Sequence, residues 1–272
     1  MPLNAACAGR TYSPDAVRVR AETIQSFIHA LEEDNPHLVD TRRRGGIIAP
    51  PLFAVVLALP AVCEALADPD LGVPAGELFP LGCDFRLARP IRAPSEICVT
   101  ASFGDIIETE KGEETTIRLQ GTRKRGVPVF VGEYRLLHSR EPGAPEAPEP
   151  ASNFLRLPLA FRAQHIVTAK PGRLIQEPLG QAHEEDARAF LGHSLGLAYA
   201  AKAAIDASLE RDPSQLRRIC ARPLRTLAPG ENIVTAGWIL ETKRDTTFFG
   251  FEILAGDGSL IMADGRAEVM LK

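Results

Sequence analysis

At 272 residues, 45% hydrophobic and 24% charged, the chain has the make-up of a globular protein with a real core, which excludes a disordered or fibrous class. Its formal net charge of −4 offers no basic excess for nucleic acid, and the densest basic run, Arg42-Arg43-Arg44, reads either as a solvated loop or as a contact for a ligand phosphate. The five cysteines (Cys7, Cys63, Cys83, Cys98, Cys220) are scattered without C-x-x-C spacing, which argues against a zinc site or a disulfide framework and fits a reducing cytosol.

From the N-terminus, Val17 to Glu32 is predicted as a helix, because Val17, Ile24, Phe27, Ile28 and Leu31 recur at helical spacing. Asp34-Asn35-Pro36 makes a turn, and a loop follows through Gly45-Gly46. Leu52 to Leu66 is a strongly apolar segment entered through Pro50-Pro51 and left through Asp68-Pro69, the punctuation of a buried helix. Cys63 and Cys98 sit in apolar runs and are expected to act as small hydrophobes. Strands are predicted at Asp84–Leu87, Glu96–Phe103, Thr115–Arg123 and Val127–Leu137, with Arg125-Gly126 turning between the last two.

Residues 141–152, rich in Pro, Ala and Glu, cannot bury themselves and are predicted as a linker. They divide the chain into units at 1–140 and 153–272. The second unit repeats the plan of the first. An apolar helix is expected from about Ser194 to Leu209, then an extended approach over Arg222 to Pro229. Strands follow near Ile233–Glu241, Thr247–Leu254 and Leu260–Met270, with Asp257-Gly258 as the last hairpin turn. Two successive units of one long apolar helix and an antiparallel meander imply an α+β fold of helices wrapped by a curved sheet, of which the hot-dog fold is an example.

Particular residues carry a family resemblance. Asp34-Asn35-Pro36, Asp40, Gly45-Gly46 and Ile48 through Phe53 resemble the N-terminal half of two-domain MaoC-like hydratases/dehydratases. Asp84-Phe85 through Arg89-Pro90-Ile91, Arg222-Pro223-Leu224, Ala228-Pro229-Gly230-Glu231, Trp238 and Asp264 through Ala267 are similar to that family's strands and connecting steps. The resemblance covers nearly the whole chain and implies a double hot-dog that binds an acyl thioester. Active members share a loop reading D-x-N-P-x-H followed by Asp two residues later. On that pattern Glu33 falls at the aspartate position and Leu38 at the histidine position. Leu38 cannot transfer a proton, so the first unit is expected to bind rather than catalyse. The matching loop of the second unit runs from Gln176 to Glu185, where His183 and Glu185 are similar to the histidine-x-aspartate step. That loop lacks the asparagine-proline turn, and Glu177 is its nearest upstream carboxylate.

Adding water to an enoyl thioester needs proton transfers at adjacent carbons and stabilisation of an enolate oxygen. His183 is assigned as acid/base, Glu177 as its carboxylate partner and Gly192-His193-Ser194 as the anion-stabilising start of the second helix. Asn35 and Pro51 are carried as substrate-binding positions. Rival readings stay open: His183 as a surface residue near a helix start, His193 as a buttress or cap, and Glu177 as a solvated loop residue. His29 and His165 read as structural, and His138 as exposed. No G-x-G-x-x-G, Walker, G-x-S-x-G or paired metal-ligand motif occurs, so neither a cofactor nor a metal is expected.

The expected partner is an acyl-CoA or an acyl-carrier-protein substrate, with no nucleic acid and no membrane. No apolar stretch approaches the ~20 residues of a span, and no signal-like N-terminus is seen, so a cytoplasmic protein is expected. The halves can pair with each other, as a monomer or as a homodimer of such monomers. Other thioester chemistry (hydrolysis, acyl transfer, conjugate-addition cyclisation) and a non-catalytic acyl-binding subunit remain alternatives.

Overall fold

A computed structural model describes residues 2–39, 46–140, 159–167, 184–208 and 210–271. The strands, in chain order, are β1 (Thr11–Tyr12), β2 (Val17–Val19), β3 (Leu78–Leu87), β4 (Ser95–Phe103), β5 (Ile107–Glu108), β6 (Gly112–Arg123), β7 (Val127–Ser139), β8 (Leu159–Ile166), β9 (Leu216–Pro223), β10 (Asn232–Lys243), β11 (Thr246–Ala255) and β12 (Leu260–Met270). The helices are α1 (Ala21–Ala30), α2 (Pro36–Val39), α3 (Phe53–Leu66) and α4 (Glu184–Asp206).

All strands join one antiparallel sheet in the order β1-β4-β6-β7-β3-β9-β12-β11-β10-β8, with β2 on β4 and β5 on β6. The two halves meet at the centre, where β3 pairs β9 from Cys83↔Ala221 to Arg86↔Arg218. Outward from that seam the order mirrors itself: β7, β6, β4 on one side and β12, β11, β10 on the other. Period-two alternation sets the faces. Phe85 and Ile219 point inward and are buried, while Asp84 and Cys220, adjacent in sequence, sit on the outer face.

The inner face wraps two helices that also pack on each other, α3 against β4 and β6, α4 against strands of the second half. Every residue of α3 is buried except Pro60, Glu64 and Leu66. A helix apolar on all sides must lie inside the core, and each fully buried Leu, Val or Phe there contributes about 1.5–3 kcal/mol. Phe27 of α1 meets Phe53 of α3 at 5.6 Å between ring centroids, fixing α1 on the helix start.

Both hot-dog helices lead into the same device. Asp68 caps a short 3-10 turn beginning at Pro69 by accepting from Asp70 N, and Asp212 caps one beginning at Pro213 by accepting from Ser214 N. The pairing across β3–β9 and this repeated cap give the α+β double hot-dog its internal symmetry.

Several expectations need correction. Val17 to Val19 is not helical; the β-branched residues alternate with Arg18 and pair with β4, and the helix begins at Ala21. The second long helix starts at Glu184, ten residues before the expected Ser194; the polar sequence at 184–188 carries little of the apolar periodicity by which a buried helix is read. Strands β8 and β9, both interrupted by basic residues, lie outside the predicted strands. Cys98 is exposed on β4 rather than a buried hydrophobe. His138, expected to be exposed, is largely covered and lies 3.3 Å from Glu113 and 3.4 Å from Glu77. The linker expected at 141–152 lies outside the described residues.

Candidate functional site

The first half's turn is built by capping. Glu32 adopts a left-handed backbone (φ 49°) at the end of α1, and Pro36 opens α2 where no N–H is needed. Asn35 Oδ1 accepts from His37 N at 2.9 Å, its backbone N donates to Glu33 Oε1 at 3.0 Å, and its Nδ2 donates to Arg211 O at 2.7 Å. Asn35 is 1% exposed. Its side-chain polar atoms are thus committed to the cap and to a bridge between the halves. Leu38, at the family's histidine position, is equally buried.

A cation from the other half closes this turn. Lys202, one turn before the C-terminal end of α4, places Nζ 3.1 Å from Glu33 Oε1, 3.2 Å from Asp34 Oδ1 and 3.1 Å from Asp206 Oδ2. Arg211 adds contacts of 2.7 Å to Asp206 and 3.5 Å to Asp34. Burial works against the Lys202 charge, but Glu33 and Asp206 outweigh it and hold the ammonium above its usual pKa. Its hydrogen bond in turn holds Asp34 below the usual carboxylate range. Glu33, Asp34 and Asp206 lie close enough together to suit a metal ion. Lys202 Nζ already hydrogen-bonds all three, so the cluster is an internal ion pair rather than a metal centre.

His165, on β8, lies beside this cluster and is partly buried. Its ring sits 5.0 Å from that of Tyr199, whose hydroxyl donates to Ala30 O at 3.2 Å. Burial lowers its pKa, with Lys202 adding to the effect and Asp206 opposing it, and its Nε2 is buried without a hydrogen-bond partner.

In the second half, α4 carries Gly192, His193 and Ser194 as its ninth to eleventh residues. Their backbone N–H groups lie past the first turn, where N–H groups bond to carbonyls four residues earlier. The expected oxyanion hole at this step is therefore absent, a correction that follows from the earlier helix start. What the step does supply is side-chain chemistry. His193 Nε2 lies 3.1 Å from Thr226 Oγ1, and Gly192 permits that approach, since a Cβ there would stand 2.3 Å from Thr226 Cγ2. Ser194 Oγ donates to Phe190 O at 2.8 Å and lies 2.5 Å from the hydroxyl of Tyr134 in the first half. With the serine proton engaged, Tyr134 is the donor of that bond. Burial pushes its phenol well above the ordinary pKa, so it stays protonated. Its ring packs 4.5 Å from Phe190 and 5.6 Å from Phe85.

Pro51 is half-buried beside a cleft of about 20 Å³ shared with Arg89, Pro213 and Arg217, room for little more than a water molecule. His183 and Glu177 lie outside the described residues. Lys202, Asp206, Arg211, Tyr134 and Thr226 were not anticipated. Lys202 left one signal, a lone lysine in the alanine-rich run Ala198 to Ala204.

Among the described residues, no helix is long and apolar enough to cross a membrane. Compared with known proteins, residues 6–131 match the model of the FAS1-like dehydratase domain region. A UPF0336 protein of Saccharopolyspora erythraea is 30% identical over 155 residues, 55% of this chain and 97% of the relative. One from Streptomyces griseus is 32% identical over 109 residues, 38% of this chain and 73% of the relative. Among solved structures, a MaoC-like dehydratase superposes with a TM-score of 0.73 at 15% identity, over 98% of this chain and 99% of the other. A Mycobacterium tuberculosis protein described as a double hot-dog gives 0.66 at 11% identity, over 97% and 96%.

Proposed function

The chain belongs to the UPF0336 family and has the MaoC-like double hot-dog fold, and from that premise we propose that it is a hydro-lyase of acyl thioesters, adding water to a 2-enoyl thioester or removing it from the 3-hydroxyacyl form. The match to a dehydratase domain region supports this general chemistry. The observation that carries the reading is the turn of the first half. In the first half, the family's carboxylate and histidine positions hold Glu33, clamped by Lys202, and buried Leu38, which leaves no proton-transfer pair.

The chemistry is therefore assigned to the second half. His183 serves as acid/base, with Glu177 as its carboxylate partner, a pair whose members typically contribute about 10²–10⁴-fold each. His193 and Thr226, joined by their hydrogen bond on the flank of α4, are assigned to hold the thioester carbonyl. The substrate is a thioester of coenzyme A or of a carrier protein, and no step calls for a nucleotide cofactor. The first half supplies the facing wall through Tyr134.

The test is turnover of short- and medium-chain 2-enoyl-CoA, followed by enoyl absorbance and free thiol in the same samples. Loss of absorbance without thiol release, abolished in His183→Ala, is the expected result. Thiol release would indicate a thioesterase, and no change in either signal would leave a non-catalytic acyl-binding protein.

A further inference from the structure

The outer face of the sheet carries a feature that the proposed reaction does not use. Where β3 meets β9, an open cavity of about 320 Å³ is lined by Arg135, Arg218 and Arg222 together with Asp84, Glu133 and Asp264. These charges are not equally committed. Arg218 is fully paired, with Nη2 2.6 Å and Nε 3.0 Å from the Asp84 carboxylate and Nη1 3.4 Å from Glu268. Arg222 is half paired: its Nε donates to Asp264 at 2.8 Å, while its Nη1 is buried with no hydrogen-bond partner. The side chains of Arg135 and Glu133 have no hydrogen-bond or ion-pair partner among the described residues.

Gly82 positions Arg135. A Cβ at that residue would stand 2.9 Å from Arg135 Nη2 and 3.5 Å from Cζ, so the guanidinium lies over the bare glycine on the cavity floor. Buried guanidinium N–H groups are rarely left unpaired, because desolvation without a partner costs free energy. Here an orphaned N–H, an unpaired guanidinium and an unpaired carboxylate border the same cavity.

We propose that this cavity binds a phosphate group, held between Arg135 and Arg222, with Glu133 accepting the proton that the phosphate retains. Guanidinium groups match phosphate oxygens in number and geometry. The carboxylate sharpens the choice of anion. A fully deprotonated sulfate can only be repelled by Glu133, whereas a singly protonated phosphate, whose last proton leaves near pH ~6 in a monoester, can donate to it. The group is a phosphate with a second ionisable proton, either free phosphate or the phosphate monoester of coenzyme A, since a phosphodiester has no such proton to donate. The site stands on the outer face and is independent of the hydro-lyase reading.

The experiment is calorimetric titration of the full chain with inorganic phosphate, coenzyme A and sulfate at constant ionic strength, repeated on Arg222→Met, Arg135→Met and Gly82→Ala. Saturable phosphate binding is expected, weakened tenfold or more in each variant, with sulfate at least tenfold weaker than phosphate. Gly82→Ala removes no charge and displaces Arg135 only, so it keeps the test informative if an arginine variant fails to fold. Tighter binding of coenzyme A than of phosphate assigns the site to coenzyme A, and equal or weaker binding assigns it to free phosphate. Absence of saturable binding, affinity unchanged in the variants, or sulfate bound as well as phosphate would overturn the proposal.

Discussion

The two hot-dog helices occupy mirrored places in one sheet and do different work. Helix α3 is apolar on every side, with Glu64 its lone charged residue, and acts as core. Helix α4 carries Lys202 and Asp206 toward the turn of the opposite half and His193 toward Thr226. The difference teaches that a duplicated fold can keep its packing while assigning its polar work unequally. The turn of the first half is sealed by a cation from the second helix, whereas α3 offers no such cation in return.

The largest expected effect comes from breaking that seal. Lys202→Met leaves Glu33 buried without its ammonium partner and should destabilise the fold by about 3–5 kcal/mol in urea denaturation. Adding Glu33→Gln should restore most of the loss. A single-variant effect below ~1 kcal/mol, the range of an exposed pair, would show that the cluster is not a buried latch. Next comes the cap that shapes the same turn. Asn35→Ala should cost about 1–2 kcal/mol, and Asn35→Ser, which restores the cap acceptor but not the bridge to Arg211 O, should fall between it and wild type.

On the other side of the comparison, Tyr134→Phe keeps the ring contacts with Phe85 and Phe190 and removes only the hydroxyl that reaches Ser194. A loss of about 1 kcal/mol is expected, a typical net hydrogen-bond contribution. The smallest effect is on pH dependence. Burial lowers the folded-state pKa of His165, so below its unfolded value of about 6.5 the unfolded chain binds a proton that the folded one refuses. Stability should therefore fall as pH drops through that region, and His165→Gln should flatten the slope. The Lys202–Asp34 contact acts in other windows. The raised Lys202 pKa favours folding below about pH 10.4 and loses effect above it, and the depressed Asp34 pKa favours folding above about pH 3.9 and loses effect as pH falls through its folded value.

Much of the architecture was legible because it depends on periodicity and punctuation. Pro50-Pro51 and Asp68-Pro69 bracketed α3 closely, and Arg125-Gly126 and Asp257-Gly258 marked hairpin turns, with Arg125 and Gly258 at positive φ. β9 was hidden because its outward positions are Arg218, Cys220 and Arg222 at the centre of a sheet, where long charged side chains reach solvent from a buried backbone. The start of α4 was hidden because the sequence at 184–188 is polar and lacks apolar periodicity. The site was legible only where a family pattern or a lone charge marked it. Leu38 showed from sequence that the first turn lacks its histidine. That Lys202 would reach Glu33 across 169 positions is set by how the two halves pack, which no local pattern encodes. A capping asparagine and a binding asparagine look the same in sequence, and the cap made by Asn35 shows only in the structure.

The most direct test of the division of labour is the hydration rate of a 2-enoyl-CoA in two variants, one per half, measured below the melting point of each. His183→Ala should lose at least ~10²-fold in kcat/KM, while Glu33→Gln, which alters only the sealed turn, should keep the wild-type rate. Loss of activity in Glu33→Gln with His183→Ala unaffected would place the chemistry in the first half and contradict the assignment.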